Sequence, residues 1–209
     1  KGLPAIAGHR AGLANGQNIA RFVFEELKIP HLVVWGASLK NFSRPEDQVS
    51  GVLYLFKLQL RQQLWRKERA RVHIRGVWGE FCSDRATHEM ADMVEKKTSH
   101  YQEHHLTVLF GYNSALDIEQ ATQQLHNKGI RPTMELIRQH MWTAHLPKNV
   151  DLVVRTAVEG DPHDSEPFLS LERENSQLVN SAKCWPDFSA EDMRSAVVDF
   201  SSRERRMGL

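Results

Sequence analysis

"HLVVWGAS", residues 31–38, is followed at once by "LKNFSRPEDQVSGVLYLFKLQLRQQLWRKERA", residues 39–70, and this junction decides the fold. The first run is short, apolar and rich in β-branched and aromatic residues, as a buried strand requires. In the second, residues 44–70 space Val49, Val52, Leu53, Phe56, Leu60 and Leu64 as one apolar helical stripe. Pro45, Glu46 and Asp47 suit the positive first turn of that helix. A buried strand feeding a long amphipathic helix is a βα unit, and the same alternation continues on both sides.

Upstream, residues 10–27 predict a helix with Ile19, Phe22, Val23 and Leu27 on one face, stopped by Pro30. Downstream, "RVHIRG" (71–76), "HLTVLFG" (105–111) and "DLVVR" (151–155) predict three more strands, and "QLVNSA" (177–182) a weaker fifth. Helices are expected over 83–99, with Ala86, Met90 and Val94 inward, over 114–127, closed by Asn127-Lys128-Gly129, and over 133–141. Ser189 caps a last one, 190–206. The pattern implies an α/β fold with a mostly parallel central sheet flanked by helices on both faces. No repeat, low-complexity tract or linker interrupts it, so residues 1–209 are expected to form a single domain.

The charge balance excludes some functions. Lys plus Arg is 27 and Asp plus Glu 26, which leaves no basic footprint for nucleic acid. No apolar run reaches membrane-spanning length. Cys82 and Cys184 are too few for a disulfide scaffold, so a reducing, cytoplasmic setting is expected. The sequence begins at Lys1 without a visible signal peptide, and a natural start further upstream is expected.

In such sheets ligands sit outside the carboxyl ends of the strands. That directs attention to Ala37-Ser38 and Asn41, to Gly111-Tyr112-Asn113, and to Arg155-Thr156. "GHRAG", residues 8–12, stands before the first predicted helix, where a glycine admits a ligand and helix amides bind phosphate. Arg155, ending a strand, suits a phosphate. The acidic stretch after it, with Asp161, Asp164 and Glu166, would either repel a diphosphate or recruit a metal. His104 and His105 lack carboxylate or cysteine partners at metal-ligand spacing and are expected in a solvated loop.

In order and spacing these pieces resemble the cis-prenyltransferase family of undecaprenyl and dehydrodolichyl diphosphate synthases. The resemblance lies in Gly8-His9-Arg10-Ala11-Gly12, Ser38-Leu39-Lys40-Asn41-Phe42-Ser43-Arg44-Pro45, Tyr112, Arg155-Thr156, Glu159, Trp185-Pro186-Asp187-Phe188 and Glu204-Arg205-Arg206-Met207-Gly208. It implies an enzyme joining isopentenyl diphosphate to an allylic diphosphate with Mg2+, and a hydrophobic tunnel beside the long helix. It implies His9, Ser38 and Asn41 as catalytic groups steering protons and the leaving group. Gly8 and Arg10 would hold the allylic diphosphate. Phe42, Arg44, Arg155 and Thr156 would bind substrate, with Arg206 and Gly208 contributed across a homodimer. Contact with a membrane would come only through the lipid product.

The sequence also departs from the family. The Asp-Gly-Asn motif, whose aspartate is the family's main Mg2+ ligand, would precede Lys1, and the first strand would be missing with it. Ala5 replaces an arginine. Asn-Tyr-Gly-Gly-Arg has become Gly111-Tyr112-Asn113-Ser114-Ala115, and "HDSEPF" (163–168) lacks the second diphosphate arginine. Gln177 occupies the position of a metal-binding glutamate. Two other outcomes are therefore carried: a non-catalytic subunit serving a catalytic homologue, and a cyclase or irregular coupling enzyme on the same fold.

Overall fold

The computed structural model describes residues 5–62, 68–158 and 166–204. Among them are five strands: β1 His31–Ser38, β2 Ala70–Arg75, β3 His104–Tyr112, β4 Leu152–Arg155 and β5 Gln177–Asn180. The helices are α1 Ala5–Arg21, α2 Glu46–Gln62, α3 Trp78–Phe81, α4 Arg85–Thr98, α5 Ser114–Asn127, α6 Met134–His140 and α7 Ala190–Ser202. No described helix is long and apolar enough to cross a membrane.

Every strand pairing is parallel, as the alternation predicts, and among the described residues the strands fall in two hydrogen-bonded groups. β3 lies between β1 and β2, while β4 pairs only with β5. β1 is thus an edge, and among the described residues no strand bridges it to β4. The register His31↔His105 through Ser38↔Tyr112 brings the carboxyl ends of β1 and β3 together. Gly76 and Gly111 make the crossing beyond β2 and β3 feasible: both have positive φ, and a Cβ on Gly76 would lie 2.2 Å from the Phe110 carbonyl oxygen.

The elements depart locally from expectation. α1 begins five residues early and ends in a π-helical turn over Phe22–Glu26, with Phe22, Val23 and Phe24 buried. α2 is described as far as Gln62 and β2 starts at Ala70; Leu64 lies outside the described residues. The inward face of α4 is Thr87, Ala91, Val94 and Thr98, with Met90 packed against the same core as expected; Ala86, one residue into the helix that Asp84 caps, faces out. α5 begins as expected, since Asn113 Oδ1 accepts from the Ala115 and Leu116 amides. α2 and α4 cover one face of the three-stranded sheet with a core of Phe42, Phe56, Leu60, Val72, Ile74, Trp78 and Phe110.

His104 and His105 are not in a loop. Both belong to β3; His104 stacks on Phe24 and bonds the Glu68 carbonyl. His105 stacks on His31, and its Nδ1 lies 3.3 Å from His73 Nε2. His145 stacks on His73 at 3.8 Å and bonds Thr107. Burial foremost, then His145, Arg75, Arg71 and His105, lowers the His73 pKa to about 3. Burial foremost lowers His145 to about 4, and also lowers His31 and His105. These groups stay neutral in the fold yet gain protons when unfolded below about pH 6.5. The stability they contribute is present above that pH and is lost as pH falls toward the folded values. For His73, only 6% exposed, the loss by pH 5 is about 2 kcal/mol. Urea midpoints measured at pH 7.5 and 5 should show the drop, and a neutral substitution at His73 should flatten it.

Candidate active site

One large cavity, about 1220 Å3, lies where α1, α2, α7, β1 and β4 meet. Most of its wall is apolar. It has two parts: a space between α1, α2 and the sheet face carrying Val34, Val72, Ile74 and Val108, and a slot between β1 and β4. His31 through Ala37 border it consecutively, and so do Leu152 through Thr156. Consecutive residues point to opposite faces of a strand, so β1 and β4 meet the slot edge-on.

At the carboxyl ends of these strands Gly8, Asn41, Arg44, Arg155 and Thr156 all border the cavity. Five residues from three distant segments of the sequence thus line one cavity. Gly8 and Gly12 belong to α1, which begins at Ala5, rather than to a loop before it. From His9 onward the amides can serve the helix ladder, so a phosphate cradle from backbone amides must lie earlier. Arg10 is exposed and does not border the cavity. The side chain of His9 lies outside the described set, as do Glu159, Asp161, Asp164, Arg206 and Gly208.

Past β1 the chain tightens into a 3-10 turn over Leu39–Ser43. Ser38 and Asn41 cap it reciprocally: the Ser38 side chain accepts from the Asn41 amide, and Asn41 Oδ1 accepts from the Ser38 amide at 2.7 Å. This fixes the orientation of the Asn41 side chain. Its oxygen is engaged, and the amide nitrogen Nδ2, a donor only, is left for the cavity. Asn41 can therefore hold an anion but cannot take a proton. Ser38 is a cap and does not border the cavity. Neither does Phe42, which is buried between Phe81, at 4.6 Å, and Phe110; its stacking places it in the core rather than against substrate.

The family model for undecaprenyl diphosphate synthases matches residues 1–208. The chain belongs to the cis-prenyltransferase family. It is a transferase of the isoprenyl diphosphate synthase type, similar over its whole length to curated enzymes. An isoprenyl transferase of Thermotoga maritima is 32% identical over 100% of this chain and 89% of its own length. The (2E,6E)-farnesyl-diphosphate-specific ditrans,polycis-undecaprenyl-diphosphate synthase of Pseudomonas syringae pv. tomato is 30% identical over 99% of this chain and 83% of its own. In fold the chain is similar to lavandulyl diphosphate synthase from Lavandula x intermedia, solved with dimethylallyl diphosphate. The TM-score is 0.88 at 20% identity, covering 100% of this chain and 91% of that one.

Two features of this cis-prenyltransferase were not legible as such. Glu166, expected to repel a diphosphate or recruit a metal, is buried and already engaged. Its oxygens accept from the Lys40 amide at 3.2 and 3.4 Å and from Asn113 Nδ2 at 3.3 Å, clamping the Asn41 turn to the start of α5. Tyr112, also at a strand end, is fully buried and donates to Asp117. Asp117 accepts the Trp142 amide, and Thr143 lies between Asp117 and Glu172. Burial foremost pushes the Asp117 carboxyl up to about 6, and the group is structural.

The described residues do not fit a magnesium cage. No group of three or more His, Cys, Asp or Glu side chains among them could hold a metal. Gln177 does not border the cavity, and its Oε1 accepts from Arg203 at 3.4 Å. Magnesium favours one or two carboxylates plus substrate phosphates, and no step is assigned to it from these residues.

Proposed function

We propose that the chain condenses isopentenyl diphosphate, or a related prenyl diphosphate, with an allylic diphosphate and releases pyrophosphate. The allylic carbon–oxygen bond breaks with its electron pair leaving on diphosphate. A carbon–carbon bond forms to the terminal alkene carbon of the other substrate, which then loses a proton. The observation that carries this reading is that Gly8, Asn41, Arg44, Arg155 and Thr156 line one largely apolar cavity, and their end of it is taken as its mouth. Donors and cations at the mouth suit the charge that develops on a departing diphosphate. Apolar walls between α1, α2 and the sheet suit the hydrocarbon, as a tunnel. In this reading Arg155 and Thr156 hold the second diphosphate, His9 beside Gly8 attends the first, and Arg206 and Gly208 act across a homodimer; Arg10, exposed and away from the cavity, drops out of the set expected from the resemblance. The magnesium implied by the family would be met through the substrate phosphates. Residues 1–209 act as one domain, in the cytoplasm.

The slot between β1 and β4 suits one further strand, belonging to the same domain and joined to the start of α1. A β–α–β crossover through α1 would place it there. It would also meet backbone groups on two edges that face an apolar space without a strand partner among the described residues.

A second reading is favoured by Gln177 and by the lack of a metal group among the described residues: a non-catalytic subunit that serves a catalytic homologue. The cyclase reading keeps Asp161 and Asp164 but loses Glu166, whose oxygens are occupied. The deciding assay is pyrophosphate release by the full-length protein. It would be supplied with Mg2+ and isopentenyl diphosphate beside dimethylallyl, geranyl or farnesyl diphosphate. Release with at least one pair is expected. A folded protein silent with every pair, but active beside a catalytic homologue, would replace the first reading by the second.

A further inference from the structure

We propose that Asn15 and Trp185 are positioning residues: the Trp185–Phe188 turn latches α1 and thereby sets the end of that helix at the cavity mouth. The inference rests on the diphosphate reading of the mouth.

α1 is a poor helix on its own. Its sequence, AIAGHRAGLANGQNIAR, holds three glycines and two asparagines, and each glycine costs about 1 kcal/mol against alanine. It needs an outside hold, and the chain about 170 residues later supplies one. The Trp185 indole N–H donates to the Gly12 carbonyl at 2.9 Å. Asn15 Nδ2 donates to the carbonyls of Trp185, at 2.6 Å, and Phe188, at 2.8 Å. That amide has two hydrogens and both are used, so Asn15 spans the turn from end to end.

The glycines explain the fit. Gly8, Gly12 and Gly16 recur every four residues and share one side of the helix. A Cβ on Gly12 would lie 3.2 Å from Trp185 Cδ1, and one on Gly16 3.7 Å from its Cζ2. The indole therefore lies against bare backbone at Gly12 and Gly16. At Gly8, one turn nearer the mouth, nothing lies within 4 Å of a built Cβ, and the glycine borders the cavity. The latch thus grips the helix about one turn, roughly 5.4 Å, below the mouth. The far end of the turn packs on the lower part of α1 and is tied to α7. Phe188 is buried with Ile19, Phe22 and Phe24, and Ser189 and Asp192 form a capping box that starts α7, with Lys183 bridging to Asp192. A rigid turn holding a weak helix makes the position of Gly8 a property of the 185–188 segment.

Hydrogen exchange of the whole chain, with and without inorganic pyrophosphate, tests this beside steady-state kinetics. Pyrophosphate should slow exchange in the first turns of α1 and also at the Asp187 and Phe188 amides. In Asn15→Leu the α1 protection should persist while that at 187–188 disappears. The KM for the allylic diphosphate should rise about tenfold with kcat within about threefold. Trp185→Phe, which removes one donor and keeps the ring, should give a smaller rise of the same kind. Protection confined to α1 in the unmodified protein, or variants that lose kcat and thermal stability with KM unchanged, would overturn the latch and leave the diphosphate reading standing. No protection anywhere would overturn both.

Discussion

Asn41→Asp is expected to lower pyrophosphate release by about 100- to 1,000-fold, the usual loss when one donor to a developing anion is removed. The substitution is nearly isosteric. One aspartate oxygen can still accept the Ser38 amide, as Asn41 Oδ1 does at 2.7 Å, so the 3-10 turn over Leu39–Ser43 should persist. The other oxygen takes the place of Nδ2 and turns a donor into a negative acceptor beside the mouth. Near-normal melting temperature with collapsed kcat/KM is the expected result. Asn41→Ala removes the cap as well, so it should lose both activity and about 1 kcal/mol of stability. Release by Asn41→Asp within tenfold of the unmodified enzyme would mean that Asn41 only shapes the turn.

The parts of this protein that were legible in the sequence are those set by local pattern. β1, β3, β4 and α5 stand within a residue or two of where periodicity and caps place them. Their apolar runs and the Asn113 cap act over a few residues and need no knowledge of the rest of the chain. What failed was tertiary. Strand patterns say nothing about which edges meet, so the order β1-β3-β2 was not legible, although the parallel sheet itself was. His104 and His105 looked solvated because their partners, His31, His73 and Glu68, come from other segments. Glu166 looked like a free acid because its donors, the Lys40 amide and Asn113, lie far away in sequence. The motif Trp185-Pro186-Asp187-Phe188 was readable as a turn, but its grip on Gly12 and Asn15 depends on a glycine stripe that sequence spacing alone would assign to flexibility. Of the candidate site, Gly8, Asn41, Arg44, Arg155 and Thr156 meet at the cavity, whereas Ser38 and Phe42 turn to capping and packing.

Arg155→Ala is expected to lower kcat/KM on the same scale as Asn41→Asp, but through binding. Arg155 ends β4, where the strand holds its backbone firmly: its carbonyl accepts the Ser181 amide at 2.8 Å. The next residues leave the strand sharply, with Ala157 at φ 59 and its amide on the Lys183 carbonyl. Arg155 is therefore held by its backbone beside Thr156, half-buried and bordering the cavity. A charge-assisted, forked contact from such a site to a diphosphate is worth about 2–4 kcal/mol, or roughly 30- to 1,000-fold in kcat/KM. The loss should fall mainly on the KM for isopentenyl diphosphate, since alanine removes binding without disturbing the allylic diphosphate across the mouth. Arg155→Lys should recover only part of it, because lysine restores the charge and not the fork. Equal loss in the KM of both substrates would place Arg155 between the two diphosphates. Unchanged kinetics would remove it from the site altogether, and with it the reason for siting a second diphosphate at the end of β4.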